Sequence, residues 1–393
     1  MKRTVKDLVN LKGKVVLVRV DFNVPLDNAG RILDTTRIDQ ALPTIKYLSE
    51  QGAKVVVMSH LGRPEGYEIR KSLWQISLIL MEKLSCKVYF CNTVIGQEAK
   101  DRIKIMQEGD VLLLENLRFY PEETACDMKF AKEIASLGDL YVDDAFGVAH
   151  RKHASNYGVA RILPNAIGLL MEKEMTTLTD SMENPKHPFV VIVGGAKVSS
   201  KIKILKKFVE ICDTLMIGGA MAYTFLVASG VAVGNSIVYH ENAVDAQEII
   251  KSAEEKGKKL LLPVDHVVIR EGDKKKKKFV VDKMVDDMIG CDIGPKTIEL
   301  FEQEIKGAGQ IFWNGPLGLY EDEKFKDGTN KIAKAVAQSS AYSIVGGGDS
   351  VSAVKKSGYA GKIDFLSTGG GATLKYLEDG SLPCIDVIQE KIR

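Results

Sequence analysis

The stretch Val190-Val-Ile-Val-Gly-Gly-Ala-Lys-Val-Ser-Ser-Lys201 carries two cations four residues apart behind a glycine pair. Its β-branched run predicts a buried strand and Gly194-Gly195 a tight turn. A helix is expected from Lys197 onward, which puts Lys197 and Lys201 at i and i+4 on one face. Cations beside a helix N-terminus repel each other and the dipole unless an anion lies between them, and a phosphate chain is the natural candidate. The alternative is an ordinary strand, turn and helix with solvated lysines; one Gly-Gly-x-Lys does not separate the two. Asp349 follows Gly346-Gly347-Gly348 and precedes Ser350. Mg²⁺ takes one or two carboxylates and leaves the rest of its shell to phosphate and water, so Asp349 is a metal candidate. Asp and Ser are equally favoured helix N-caps, and the spacing also reads that way.

A second set lies in the first half: Asp21, Asn23, Arg37, His60, Arg63, Arg118 and Arg151. Arginine forks suit phosphate and carboxylate, and an Asp suits a hydroxyl, so the set would hold a small polyanion. Taken singly, each arginine reads as a surface ion-pair partner. Repetition at successive strand ends lifts the set above its members. His60 could be a general base or a hydrogen-bonded structural residue; no Ser or Cys nucleophile motif accompanies it, and it reads as an anion contact.

The elements that must position these groups alternate strand with helix, the pattern of an α/β sheet wound from βαβ units. Strands are expected at 15–20, 54–58, 88–90, 111–114 and 140–142, with helices at 37–51, 72–84, 97–106 and 128–137. The polar residues follow the strands, and ligands in open α/β sheets bind outside the carboxyl ends of strands. In the second half, strands at 189–193, 214–217, 259–262, 310–313, 343–345 and 365–366 lead mostly into glycine loops. Glycine there lets backbone and helix N-termini approach a ligand closely. No G-x-x-x-x-G-K-[ST] occurs, and no G-x-G-x-x-G stands where a dinucleotide fold needs it, which disfavours P-loop and Rossmann enzymes. The pattern breaks near 163–168, and 169–182 reads as one long bridging helix. The fold class is therefore α/β, two doubly wound parallel-sheet domains joined by a helical hinge: residues 1–168, residues 169–377, and an amphipathic tail, 378–393, that docks somewhere.

A chain of 393 residues exceeds one core, which agrees with two domains. A net charge of +2 argues against a nucleic-acid coat, and no uncharged run is long enough to cross a membrane, so a cytoplasmic protein is expected. Six scattered cysteines read as buried thiols, not a zinc site. Lys274 to Lys278 reads as the tip of a solvated hairpin, and Trp74 and Trp313 as core.

An anion pocket in one half and glycine loops with lysines and a metal carboxylate in the other suggest phosphoryl transfer, which asks for positioning and charge neutralisation. The motifs Val20-Asp-Phe-Asn-Val-Pro25, Ser59-His-Leu-Gly-Arg-Pro64, Glu115-Asn-Leu-Arg118, Asp143-Asp-Ala-Phe-Gly147, Ala149-His-Arg151, Gly194-Gly-Ala-Lys-Val198, Trp313-Asn-Gly-Pro316, Gly346-Gly-Gly-Asp349 and Ser367-Thr-Gly-Gly-Gly371 closely resemble the phosphoglycerate kinase family, over essentially the whole chain and in order. The resemblance implies glycolytic, reversible transfer of the acyl phosphate of 1,3-bisphosphoglycerate to Mg-ADP, giving 3-phosphoglycerate and ATP by domain closure and in-line transfer. It implies a 3-phosphoglycerate site of Asp21, Phe22, Asn23, Arg37, His60, Leu61, Gly62, Arg63, Arg118 and Arg151. It also implies nucleotide contacts from Lys197, Lys201, Gly219, Gly290, Asn314, Glu321, Gly347, Gly348, Asp349 and Ser350, with Asp349 on Mg²⁺. Arg37 and Lys197 would stabilise the transferring group. The same resemblance implies a monomer whose tail crosses back to the first domain, and charge and composition lead to the expectation of no nucleic-acid or membrane partner. Three departures stand out: a loop between Asn23 and Arg37 one residue longer than usual, Ala220 for a third glycine, and Ser200 for an acidic residue. An acetate-type or amino-acid kinase and a non-catalytic nucleotide-binding scaffold are the rival readings.

Overall fold

The computed structural model describes residues 1–391, and Ile392 and Arg393 of the expected tail lie outside the described residues. The chain divides into two compact units, Met1–Thr177 with the tail from Asp379, and Leu178–Glu378. The division falls inside the helix Leu169–Glu183, nine residues beyond the boundary expected at 168 and 169.

In the first unit β1 (Val15–Arg19), β2 (Lys54–Met58), β3 (Val88–Phe90), β4 (Val111–Leu113), β5 (Leu140–Asp143) and β6 (Asn165–Ile167) form one sheet in the order β3-β4-β2-β1-β5-β6. Every pairing is parallel. Period two explains the apolar runs: Val16, Val18, Val55, Val57, Val111 and Leu113 join one core, while the alternate residues Leu17, Val56 and Leu112 are equally buried. The chain leaves β1 toward β2 on one side and returns to place β5 on the other, so the carboxyl end of β1 is a topological switch point. β6 is an addition to the expected strands; it is three residues long and carries only Asn-Ala-Ile. Trp74 corrects the core expectation: it is 47% exposed and meets Phe90 edge-on at 5.5 Å, whereas Trp313 is fully buried. The described part of the tail runs along the N-terminus, with Arg3 N–H donating to Gln389 O (2.8 Å) and Lys391 N–H to Met1 O (2.8 Å).

In the second unit β7 (Phe189–Val193), β8 (Thr214–Ile217), β9 (Lys259–Leu261), β13 (Gln310–Asn314), β14 (Tyr342–Gly346) and β15 (Phe365–Leu366) form a second parallel sheet, β15-β14-β13-β7-β8-β9. Its switch point lies between β7 and β13. A smaller antiparallel sheet of β10 (His266–Arg270), β11 (Phe279–Val281) and β12 (Met288–Ile293) packs around Tyr223, Leu226 and Val268. The five-lysine run is the hairpin tip between β10 and β11. It is ordered by Asp273, whose carboxylate accepts from Lys275 N–H (2.9 Å) and Lys277 N–H (2.8 Å), and Lys276 and Lys278 pair with Asp322 and Asp327.

Asp144, fully buried, fastens the start of the helix Leu169–Glu183. Its Oδ1 accepts from Met171 N–H (3.0 Å), and Thr44 Oγ1 accepts from Leu169 N–H (2.9 Å). Burial pushes the Asp144 carboxyl up to about 7 against its hydrogen bonds. The folded value lies above the ordinary 3.8, so this group's contribution to stability is full below pH 3.8 and is lost as pH rises through 7. Asp144→Asn keeps the Met171 acceptor and cannot ionise. Each tenfold change in proton affinity between the folded and unfolded chain corresponds to ~1.4 kcal/mol, so the variant is expected to exceed the parent in unfolding free energy by a few kcal/mol at about pH 8. The two curves should converge toward about pH 4. Denaturant midpoints across that range check it; parallel curves would refute the assignment.

Candidate active site

The first unit gathers most of the expected anion ligands around the switch point. Arg63, Arg118, Arg151 and His153 line one cavity of about 550 Å³ together with Phe119, Tyr120 and Thr124. Arg118 Nη1 donates to Gly62 O (2.8 Å) and Gly62 N–H to Asn23 Oδ1 (2.8 Å), which ties the three loops. Burial and the charges of Arg19, Arg151 and Arg63 press the Arg118 guanidinium below its ordinary value, and the Glu123 carboxylate opposes them only in part. Such crowding calls for an anion. Beside it, Arg37 enters from the second residue of the helix Thr36–Glu50 and its Nη1 donates to Asp21 Oδ2. Burial works against ionised Asp21, but Arg37 and the other basic groups around it outweigh burial and hold the carboxyl below its usual range.

The long loop before Arg37 has a simple form. Leu26 bridges Ile32 and Asp27 accepts from Ala29 and Arg31 amides, so the segment folds as a small hairpin, and it is Arg37, not Thr35, that faces Asp21. Phe22 and Leu61 are core side chains; their amides already donate to Ser59 Oγ (2.8 Å) and Asn116 Oδ1 (3.1 Å). What they supply here is loop shape.

His60 is the first correction of character. Its sequence position groups it with the cations, yet burial holds its imidazole well below 6.5, with Asp21 opposing and Arg19, Arg118 and Arg37 reinforcing, so the ring is neutral. Arg19, absent from the residues that the motifs single out, lies fully buried beneath it, with Nη2 3.1 Å from His60 Nδ1. A signal is present in the sequence: an arginine ends the otherwise apolar run Val-Val-Leu-Val-Arg of β1. His153 is a second residue that the motifs pass over, and burial together with the neighbouring arginines takes it down to about 4.

In the second unit the lysine geometry is the second correction. The helix after β7 begins at Ile202, so Lys197 and Lys201 lie in the preceding turn and do not share a helical face. Lys201 folds back, 9% exposed, to donate through Nζ to Gly194 O (2.5 Å). Burial draws it down to about 8, opposed by Asp349. Lys197 is exposed.

The glycine loops meet backbone against backbone at the switch point. Gly194 N–H donates to Asn314 O (2.8 Å), Gly195 N–H to Pro316 O (2.7 Å), Gly219 N–H to Leu317 O (3.0 Å) and Met221 N–H to Gly195 O (3.0 Å). Asn314 Nδ2 donates to Gly346 O (2.7 Å) and Ser350 Oγ accepts from Gly315 N–H (2.5 Å), so both side chains tie loops together. Gly290 lies against Tyr223: a Cβ there would stand 1.7 Å from the phenol oxygen. Glu321 is exposed.

Gly347, at φ +102°, holds the N-cap position of the helix Gly348–Lys356, which leaves Asp349 in the first turn, exposed, and displaces the N-cap reading of that residue. No group of three or more His, Cys, Asp or Glu able to hold an ion occurs among the described residues. An exposed carboxylate at a helix start, with Lys201 near enough to feel it, fits an ion whose remaining ligands come from a nucleotide and water. Ala220 adopts φ −62°, ψ −27°, ordinary helical backbone, so the missing third glycine demands nothing. Ser200 Oγ donates to Lys197 O (3.1 Å) within the turn.

A basic pocket at the strand ends of one doubly wound unit and converging glycine loops in another make this a two-unit α/β protein with rims suited to anionic ligands. The model of the phosphoglycerate kinase family matches residues 5–380. The phosphoglycerate kinase of Dictyoglomus turgidum is 50% identical over 395 residues, covering 99% of this chain and all of that one, and the phosphoglycerate kinase of Moorella thermoacetica is 49% identical over 394, covering 99% and 100%. Solved phosphoglycerate kinases agree in fold: that from Coxiella burnetii has TM-score 0.86 at 40% identity, and that from Pyrococcus horikoshii 0.84 at 32%, each covering 98% of both chains. The chain belongs to the phosphoglycerate kinase family.

Proposed function

We propose that the protein catalyses the glycolytic reaction of that family, reversible phosphoryl transfer between 1,3-bisphosphoglycerate and ADP, giving 3-phosphoglycerate and ATP. The observation that carries this reading is the crowding of Arg63, Arg118 and Arg151 around one cavity of a size for a small phosphorylated acid. Their guanidiniums would bind the substrate phosphate, and His60, Asn23 and Asp21 would orient the rest of the acid. Arg37 and Lys197 would neutralise charge on the transferring group, in line between the two oxygens, with the protein closing around both ligands. Lys201 would regain full charge beside a phosphate. Asp349 is the carboxylate that would hold Mg²⁺, which supplies charge neutralisation on the nucleotide phosphates when bound. Glu321, Gly219, Gly290, Gly347, Gly348, Asn314 and Ser350 would shape the nucleotide side. Among the described residues no helix is long and apolar enough to cross a membrane, and we propose a cytoplasmic monomer.

The deciding measurement is ADP formation from Mg-ATP with 3-phosphoglycerate as acceptor, with acetate, glycerate and a metal-free reaction beside it. Turnover confined to 3-phosphoglycerate and Mg²⁺ is the expected result. Turnover of acetate would favour an acetate-type kinase; nucleotide binding without turnover would favour a scaffold.

A further inference from the structure

Beneath the cavity lies a buried chain of polar groups that reaches away from any ligand. Arg19 Nη2 approaches His60 Nδ1 at 3.1 Å, Arg19 Nη1 donates to Val20 O, and Arg19 Nε donates to Ser155 Oγ (2.9 Å). A guanidinium has five donors and no acceptor. His60 Nδ1 must therefore accept, since Asp21 Oδ1, the other group facing it, stands at 3.9 Å, beyond hydrogen-bond reach, and the single ring proton is left on Nε2.

Ser155 Oγ, already accepting from Arg19, donates its hydrogen to Glu123 Oε1 (2.6 Å), and Glu123 Oε2 accepts from Ser155 N–H (2.9 Å). Both oxygens of a carboxylate with no exposed surface thus accept from one serine, while His153 Nδ1 stands 3.8 Å from Oε1. Ser155 is held for this by an unusual backbone: Ala154–Gly158 is a single π-helical turn closed by Gly158 N–H on His153 O (3.0 Å), a form concentrated at functional sites. The carboxylate's negative end, the hydroxyl and the guanidinium run in one direction, so each polarises the next in a dry interior.

We infer that Glu123 and Ser155 are positioning residues for the anion site, holding His60 through Arg19 as the neutral Nε2–H tautomer, a directed hydrogen-bond donor in place of a mobile cation. The consequence for 3-phosphoglycerate rests on the function proposed above; the tautomer itself does not. A neutral donor among arginines adds direction without adding repulsion when the cavity is empty.

Nitrogen NMR of ¹⁵N-histidine-labelled full chain tests it. The expected wild-type signal is a His60 Nδ1 without a proton and an Nε2 with one, unchanged across about pH 6 to 8. A protonated Nδ1, or titration near the ordinary value, overturns the inference whatever the variants do. Ser155→Ala removes one oxygen and Glu123→Gln keeps volume while removing charge. In each, His60 is expected to lose the single tautomer, and KM for 3-phosphoglycerate to rise about tenfold with kcat changed less than about threefold, the pattern of a displaced binding group. A folded variant with unchanged spectrum and KM also overturns it. Should wild type show the tautomer and no response to 3-phosphoglycerate, the substrate reading fails and the tautomer stands.

Discussion

Arg37→Ala and Lys197→Ala are each expected to lower kcat by about two to three orders of magnitude while the protein stays folded, because a donor aimed at charge that develops during transfer acts where no water replaces it. Folding survives because neither side chain belongs to a core: Arg37 is partly exposed at a helix start, and Lys197 is exposed in a turn. Arg37 has a second effect to separate. It is the largest of the charges opposing burial at Asp21, so its loss lets that carboxyl rise toward its ordinary range. Arg37→Lys returns charge near Asp21 but not the planar fork, and intermediate turnover is expected from it. Lys197→Ala touches no such partner, which makes it the cleaner measure of transition-state charge. Stopped assays with thermal unfolding on the same samples check both, and near-normal turnover in either removes that residue from the chemistry.

Gly219→Ala is expected to destabilise the second unit by more than ~3 kcal/mol and to abolish ADP binding. Gly219 sits at φ +67°, where an L side chain is strained, and its Cβ would lie 2.6 Å from Gly195 N, 2.7 Å from Gly195 O and 2.8 Å from Pro316 O. All three are backbone atoms of the two loops it must meet, so nothing can swing aside. Gly348→Ala is the control, since no atom lies within 4 Å of its Cβ; a stability change within ~0.5 kcal/mol is expected there. Ala220→Gly should cost stability, because Ala220 already occupies helical backbone where glycine only adds unfolded freedom. Denaturant unfolding with ADP titration separates the three, and a stable, ADP-binding Gly219→Ala would refute the tight-contact account.

Much of the architecture is legible in the sequence because its causes are local. Short continuous apolar runs mark β1, β2, β7 and β13, and the polar or glycine residues immediately after them mark the rim. The lysine pair misleads because Lys197 and Lys201 are spaced for a helix, while Lys201 N–H bonds Val198 O in a turn and the helix waits for Ile202. Trp74 misleads because an aromatic beside apolar neighbours reads as core, and only the packing around Phe90 shows one face left open. Arg19 escapes a sequence reading because a charge in a strand can only be assigned once its partners are known, and Ser155 lies 136 residues away.

By itself the sequence determined the kind of fold, the family and the list of groups that could meet a phosphate, since spacing, glycine placement and apolar periodicity are properties of neighbouring residues. Only the tertiary structure decided which groups are charged and where they point. His60 is neutral because burial and Arg19, 41 residues away, act on it, and Lys201 is turned inward onto Gly194, seven residues earlier, in a turn whose burial exists only once the sheet has assembled.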